Sequence, residues 1–176
     1  MTRPTLKQWL WIVPGALVVI LLLLQGVPYG HAHTNPPVSA EAPWRTPAVH
    51  ELARRACYDC HSNTTRWPWY SYVAPISWLV QDDVDEARSK LNFTEWDRPH
   101  RRIAAAPDEL SSGDMPPGDY CEMHSQANLT DAEKKQLIAE LQWLGAPPPP
   151  PGAPTPATAP TPPAPAAKSA GGSAKH

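Results

Sequence analysis

The apolar positions of this chain fall into distinct patterns, and the first is an unbroken run, WLWIVPGALVVILLLL, over residues 9–24. A core helix presents a polar face to water, and no polar side chain interrupts Leu10 to Leu24. Extended to Val27, the run is long enough to cross the hydrocarbon layer. Arg3 and Lys7 precede it, so the positive-inside rule puts the start of the chain in the cytoplasm and the rest outside. Gly30 to Ala32 offers small residues for a cleavage point, yet the run is long for a signal peptide. An uncleaved anchor over residues 1–29 is therefore expected.

Beyond it, residues 30–45 (GHAHTNPPVSAEAPWR) are broken by Asn-Pro and Pro-Pro and predict an extended tether. With Thr46 as N-cap and Pro47 in the first helical position, Val49, Leu52, Ala53, Ala56, Cys57 and Cys60 recur at helical spacing. One helix carrying both cysteines on its apolar face is expected. SNTTRWPWYSYVAP reads as a loop, and PISWLVQDDVDEARSKL as a helix with Ile76, Leu79, Val80, Val84 and Ala87 inward and its acids outward. TEWDRPHRRIAAA predicts a short helical piece interrupted at Pro99, and SSGDMPPGDY a loop. In LTDAEKKQLIAELQWLG, Thr130 and Glu133 form a capping box, Leu137, Ile138, Leu141 and Leu144 a buried stripe, and Gly145 a stop. No segment alternates as a strand does. The fold class expected is all-α, with a domain over residues 46–145 and, from Ala146 to residue 176, a disordered Pro/Ala-rich tail too poor in apolar area to order itself.

Composition narrows the partners. Of 176 residues 24 are proline, mostly at the two ends, which leaves about 110 for one folded domain. The net charge is −2 and no Lys/Arg stripe exists, so nucleic acid is not a partner of this chain's chemistry. Eight Trp against one Phe is an odd ratio for a plain apolar core and suits flat rings lining a site.

The chemistry is concentrated at Cys57, Cys60 and His61, which spell C-x-x-C-H, the attachment signature of c-type haem. Two thiols one helical turn apart reach two vinyl groups on one porphyrin edge, and the next residue presents imidazole to the iron as proximal ligand. A redox C-x-x-C lacks its βαβ context, and a disulfide disfavours so short a loop on a helix. The rival is a structural zinc module using Cys57, Cys60, Cys121 and His124, weakened by the gap of about 60 residues between its halves against roughly 12–20 in compact zinc sites. Trp67, Trp69, Tyr70, Tyr72 and Trp78 can cover a porphyrin, or serve as core or membrane-surface rings, and Arg66 can pair with a propionate. For the distal side, Met115 leads because Pro116 and Pro117 stiffen its loop. His124, Met123, His100, a linker histidine or an open position are the alternatives.

The blocks VPYGHAHTNPPV, ACYDCHSNTTRWPWYSYVAPISWLVQDDVDEARSKLNFTEW and MPPGDYCEMHSQANLTDAEKKQLIAEL resemble the small haem-binding domain proteins of bacteria, which are anchored monohaem c-type cytochromes. The resemblance implies a cytochrome c-like helical domain, one haem c on Cys57 and Cys60, His61 as proximal ligand and Met115 as distal ligand. Cys121 departs from it, standing where such proteins carry an apolar or aromatic residue, and leaves metal binding or a disulfide dimer open. The expected function is single-electron transfer between redox partner proteins at the periplasmic side of the bacterial inner membrane, by a carrier rather than an enzyme. A haem-based gas or redox sensor is the alternative from another class.

Overall fold

The computed structural model describes residues 5–146. The expected tail from Ala146 onward lies outside the described residues, apart from Ala146 itself. Within them the chain is helical, with no strand and a single parallel bridge between Ala40 and Glu95. The all-α expectation holds.

Helix α1 (Leu6–Gln25) has 20 residues, about 30 Å at ~1.5 Å per residue, and buries none of them in the protein. It is long and apolar enough to cross a membrane. Its end is tied to the domain: the Gln25 side-chain amide donates to the Ala74 carbonyl at 3.1 Å and accepts from the Ala74 N–H at 3.2 Å.

Residues 30–45 are extended, but they are more than a tether. They run along the domain as a strap, because its carbonyls and side chains satisfy theirs. Asn35 Nδ2 donates to the Thr65 carbonyl at 2.8 Å, Asn63 Nδ2 to the Pro37 carbonyl at 3.0 Å, and the Ala42 N–H to the Phe93 carbonyl at 2.7 Å. Ala42 is buried in the core, and Trp44 packs against it.

Helix α2 (Pro47–Ala56) starts where the capping signal placed it, with Thr46 Oγ1 accepting from the Val49 N–H at 3.3 Å. It does not continue through Cys60. Cys57 leaves helical geometry (φ −126°, ψ −34°), and a separate turn, α3 (Tyr58–His61), follows. The break turns Tyr58 into the core, stacked on Phe93 with ring centroids 5.7 Å apart, while its hydroxyl accepts from Trp44 Nε1 at 2.8 Å and donates to Glu41. Burial of that ring outweighs continuity of the helix, since a buried hydroxyl must keep its partners.

Helix α4 (Ile76–Lys90) turns a polar side to the protein: Ser77, Gln81 and Val84 are its buried residues, while Ile76 and Leu79 are exposed. Their expected inward placement needs correction, and the reason is a cavity described below. The piece expected over TEWDRPHRRIAAA is displaced forward. Turns run to Ala105, and α5 (Ala106–Ser112) takes Pro107 into its first turn, where a missing N–H costs nothing. The expected loop SSGDMPPGDY ends sooner, at α6 (Gly118–Met123). Helix α7 (Asp131–Gly145) has its capping box, Glu133 N–H to Thr130 Oγ1 at 3.3 Å and Thr130 N–H to Glu133 Oε2 at 2.8 Å. It buries Glu140 beside Leu137 and Leu141. That carboxylate accepts from the Arg45 backbone N–H and from Arg45 Nε, both at 2.7 Å, and so fastens the strap to α7. The main core joins Ala42, Ala53, Tyr58, Phe93, Leu110 and Leu137.

The strap makes one testable demand. Gly30 sits at φ +79°, and a Cβ there would meet the Ser77 carbonyl oxygen at 2.6 Å, whereas Gly113, at φ +87°, has nothing near. Gly113→Ala is expected to cost roughly 1–2 kcal/mol from left-handed backbone strain alone, and Gly30→Ala more than that, because the clash with the Ser77 backbone adds to the same strain. Thermal unfolding of the two variants checks the order.

Candidate functional site

The first turn of α3, the exposed side of α4, the loop after α5 and helix α6 enclose one cavity of about 610 Å³. Its size falls in the usual range of cofactor pockets, roughly 300–1,000 Å³. The wall explains α4. Ile76, Leu79, Val80 and Ala87 line it, so the apolar stripe seen in the sequence faces this space and the polar side packs on protein. Asp83 and Glu86 also lie on the wall, a departure from acids placed wholly outward.

Cys57, Cys60 and His61 are brought together there, and Met115 lies on the same wall. His61 Nδ1 lies 2.9 Å from the Leu91 carbonyl. A carbonyl only accepts, so Nδ1 carries the proton and Nε2 keeps its lone pair. Burial pushes the His61 pKa below the ordinary value, which keeps the ring neutral, and the Leu91 carbonyl opposes this only in part. The two thiols are pushed up to about 12, Cys57 by burial and then by Cys60, and Cys60 by burial and then by Asp83. They are neutral thiols, and all three cysteines of the chain are free.

The remaining sequence-derived residues divide. Trp69, Tyr70 and Arg66 line the cavity, and Trp67, Tyr72 and Trp78 do not. Trp67 and Tyr72 enclose His33 of the strap instead, with ring centroids at 4.7 and 4.2 Å, because that half-buried ring needs apolar cover. Arg66 is engaged by Asp59: Nε lies 3.3 Å from Oδ1, and the Arg66 backbone N–H donates to the same oxygen at 3.2 Å. Its guanidinium is otherwise mostly exposed at the cavity wall. Lys90 and Arg102 also reach the wall, which sequence reasoning missed; they are held by Glu86 at 2.5 Å and by Glu109 at 3.4 Å.

Among the distal alternatives, Met123 and His124 line the cavity, and His100 does not, lying stacked on Trp96 at 3.7 Å. His124 Nε2 meets the Tyr70 hydroxyl at 3.1 Å, and Tyr120, another cavity residue the sequence reading passed over, donates to Asp59 Oδ2 at 2.8 Å. Burial lowers the His124 pKa and raises that of Tyr120. The zinc set is not assembled. Among the described residues no three His, Cys, Asp or Glu side chains are grouped to hold a metal ion, and Cys121 Sγ makes a long contact to the Pro116 carbonyl, at 4.0 Å.

A largely apolar cavity with two neutral thiols, the His61 imidazole protonated on Nδ1, a second imidazole at His124 and the thioethers of Met115 and Met123 is a donor set that fits haem. The family model described as a haem-binding domain matches residues 19–144, more than half of the chain. No curated protein and no solved structure matches it.

The raised thiols give the second test. In the folded haem-free chain, alkylation of Cys57 and Cys60 at mildly alkaline pH is expected to run more than about tenfold slower than in urea, because burial raises both thiols and a less-populated thiolate is only partly offset by its greater nucleophilicity. Peptide mapping by mass spectrometry reads it, and equal rates would show that the walls do not exclude water.

Proposed function

Because the chain belongs to the haem-binding domain family, we propose that it carries one haem c, joined covalently through Cys57 and Cys60, and passes single electrons at the periplasmic face of a bacterial inner membrane. The observation that supports this most is that both thiols, the free Nε2 side of His61 and the Met115 thioether belong to one cavity. A bound haem supplies one-electron iron chemistry.

The chain's own residues do the rest. The Leu91 carbonyl orients His61 and makes its Nε2 the better donor, as outer-shell partners of a ligating histidine do. Met115 offers a neutral thioether, which raises the reduction potential relative to a second histidine. Leu79, Val80 and Leu110 give the wall apolar surface for a porphyrin to cover. The site holds donors and apolar cover, which suits a carrier rather than an enzyme, and redox partner proteins would meet whatever edge is left open. One observation favours the second reading, a gas or redox sensor. Met115 is 41% exposed, and its backbone is fixed to the helix before it by one N–H bond, to the Glu109 carbonyl at 3.0 Å. A ligand held so lightly is the kind a small gas displaces.

Attachment is expected to need both thiols. Cys57→Ala and Cys60→Ala, each made with the haem-attachment machinery, should retain less haem than wild type through denaturing gel electrophoresis, and the double variant none. Retention at the wild-type level in either single variant rules out two thioethers.

Distal ligation by Met115 is expected to show as a weak near-infrared sulfur-to-iron band in the oxidised protein. Met115→Ala should lose that band, lower the midpoint potential and open the reduced iron to carbon monoxide, while Met123→Ala and His124→Ala keep all three properties. A wild-type protein that binds carbon monoxide rapidly and has no such band is the sensor.

A further inference from the structure

The residues around the end of α1 form an apolar, aromatic face whose place relative to a membrane follows from two hydrogen bonds. At about 30 Å, α1 matches the roughly 30 Å hydrocarbon layer, so Gln25 stands at its outer boundary. The Gln25 amide holds both backbone groups of Ala74, and Gly30 lies against the Ser77 carbonyl. The domain is thus pinned at two points within five residues of the helix end.

What surrounds those points is unlike the rest of the surface. Trp69 is 75% exposed and Tyr72 57%, and Tyr29, Val73 and Ile76, all within four residues of a pinned position in sequence, are exposed as well. From Trp67 to Gln81 no residue is charged. The acids of α4 begin at Asp82, six residues beyond Ile76 and so about 9 Å further along the axis. Exposed Trp and Tyr next to a spanning helix belong at headgroup level, where the ring is half in hydrocarbon and its polar atom is wet.

We infer that the face of Tyr29, Trp69, Tyr72, Val73 and Ile76 is seated in the lipid headgroup layer, so that the domain is docked on the bilayer and does not swing from a tether. Trp69 and Ile76 also line the cavity, which places one cavity edge at the membrane surface. The inference rests on α1 remaining as an uncleaved span.

The test uses the full-length, haem-loaded protein with Cys121→Ser, in liposomes of phosphatidylcholine and phosphatidylglycerol, the iron oxidised. A nitroxide is placed through Val73→Cys in one sample and Arg54→Cys in another. Arg54 is exposed on α2, which packs on α3 and α7 and not on α4. Docking is expected to raise the collision ratio of oxygen to a nickel chelate at position 73 above that at position 54. Equal ratios in protein whose intact mass retains residues 1–29 overturn the docking and leave the anchor standing. An intact mass lacking residues 1–29 overturns the anchor, and the docking with it.

Discussion

The bond from His61 Nδ1 to the Leu91 carbonyl is the constraint from which the rest of the domain can be followed, because the segment that supplies the carbonyl also holds the core and the strap. Leu91, Asn92, Phe93 and Thr94 are all buried, yet they form no helix and no strand. Buried backbone groups need partners wherever they lie. The Phe93 N–H finds the His61 carbonyl at 2.9 Å, and the Phe93 and Thr94 carbonyls accept from Ala42 and Ser39 of the strap at 2.7 and 3.1 Å. Asn92 Oδ1 takes the Thr94 N–H at 3.0 Å, and Asn92 Nδ2 donates to Asn63 just past the motif at 2.8 Å. Moving the carbonyl that orients His61 would therefore release Phe93 from the core and the strap from the domain together.

A second fixed point lies on the polar side of α4. Arg88 donates to the Ser62 carbonyl and Thr65 Oγ1 after the motif, both at 2.8 Å, and to the Thr34 carbonyl and Asn35 Oδ1 of the strap at 3.0 and 2.9 Å. Burial pushes its pKa down, and four well-placed acceptors offset the cost of partly desolvating the charge. The helix is left with its apolar side free for the cavity.

That division shows what the sequence could and could not reveal. Caps at Thr46 and Thr130 were legible because a side-chain oxygen three residues before a free N–H is a local device. Cys57, Cys60, His61 and Met115 were legible because a short motif and a Met between Gly-Asp and Pro-Pro stand out against their surroundings. The period of α4 was legible too, but a period says which residues share a face and not what the face meets. Ile76 and Leu79 look the same in sequence whether they meet a core or a cavity. The buried Glu140, the break at Cys57 and the strap each depend on a partner distant in the chain, as with Arg45 for Glu140, and no local pattern encodes that. Which of the rings would line the cavity was not legible for a related reason: Trp67 and Tyr72 pack on His33 of the strap, a partner distant in the chain.

The cavity is in effect the domain's second core, and it is apolar without being filled by side chains. Its open side admits water, which hydrates walls of Leu, Val and Ile poorly, so the unfilled space leaves apolar surface uncovered in a domain of only marginal stability. Under the proposed reading a haem fills the space, and a ligand that binds only the folded chain stabilises it in proportion to its affinity. Covalent attachment would carry this further, because a tethered group rebinds intramolecularly and is not lost by dilution. The placement of Cys57 at a break in the helix rather than inside it then has a physical sense: the same kink that buries Tyr58 in the first core brings both thiols to the wall of the second.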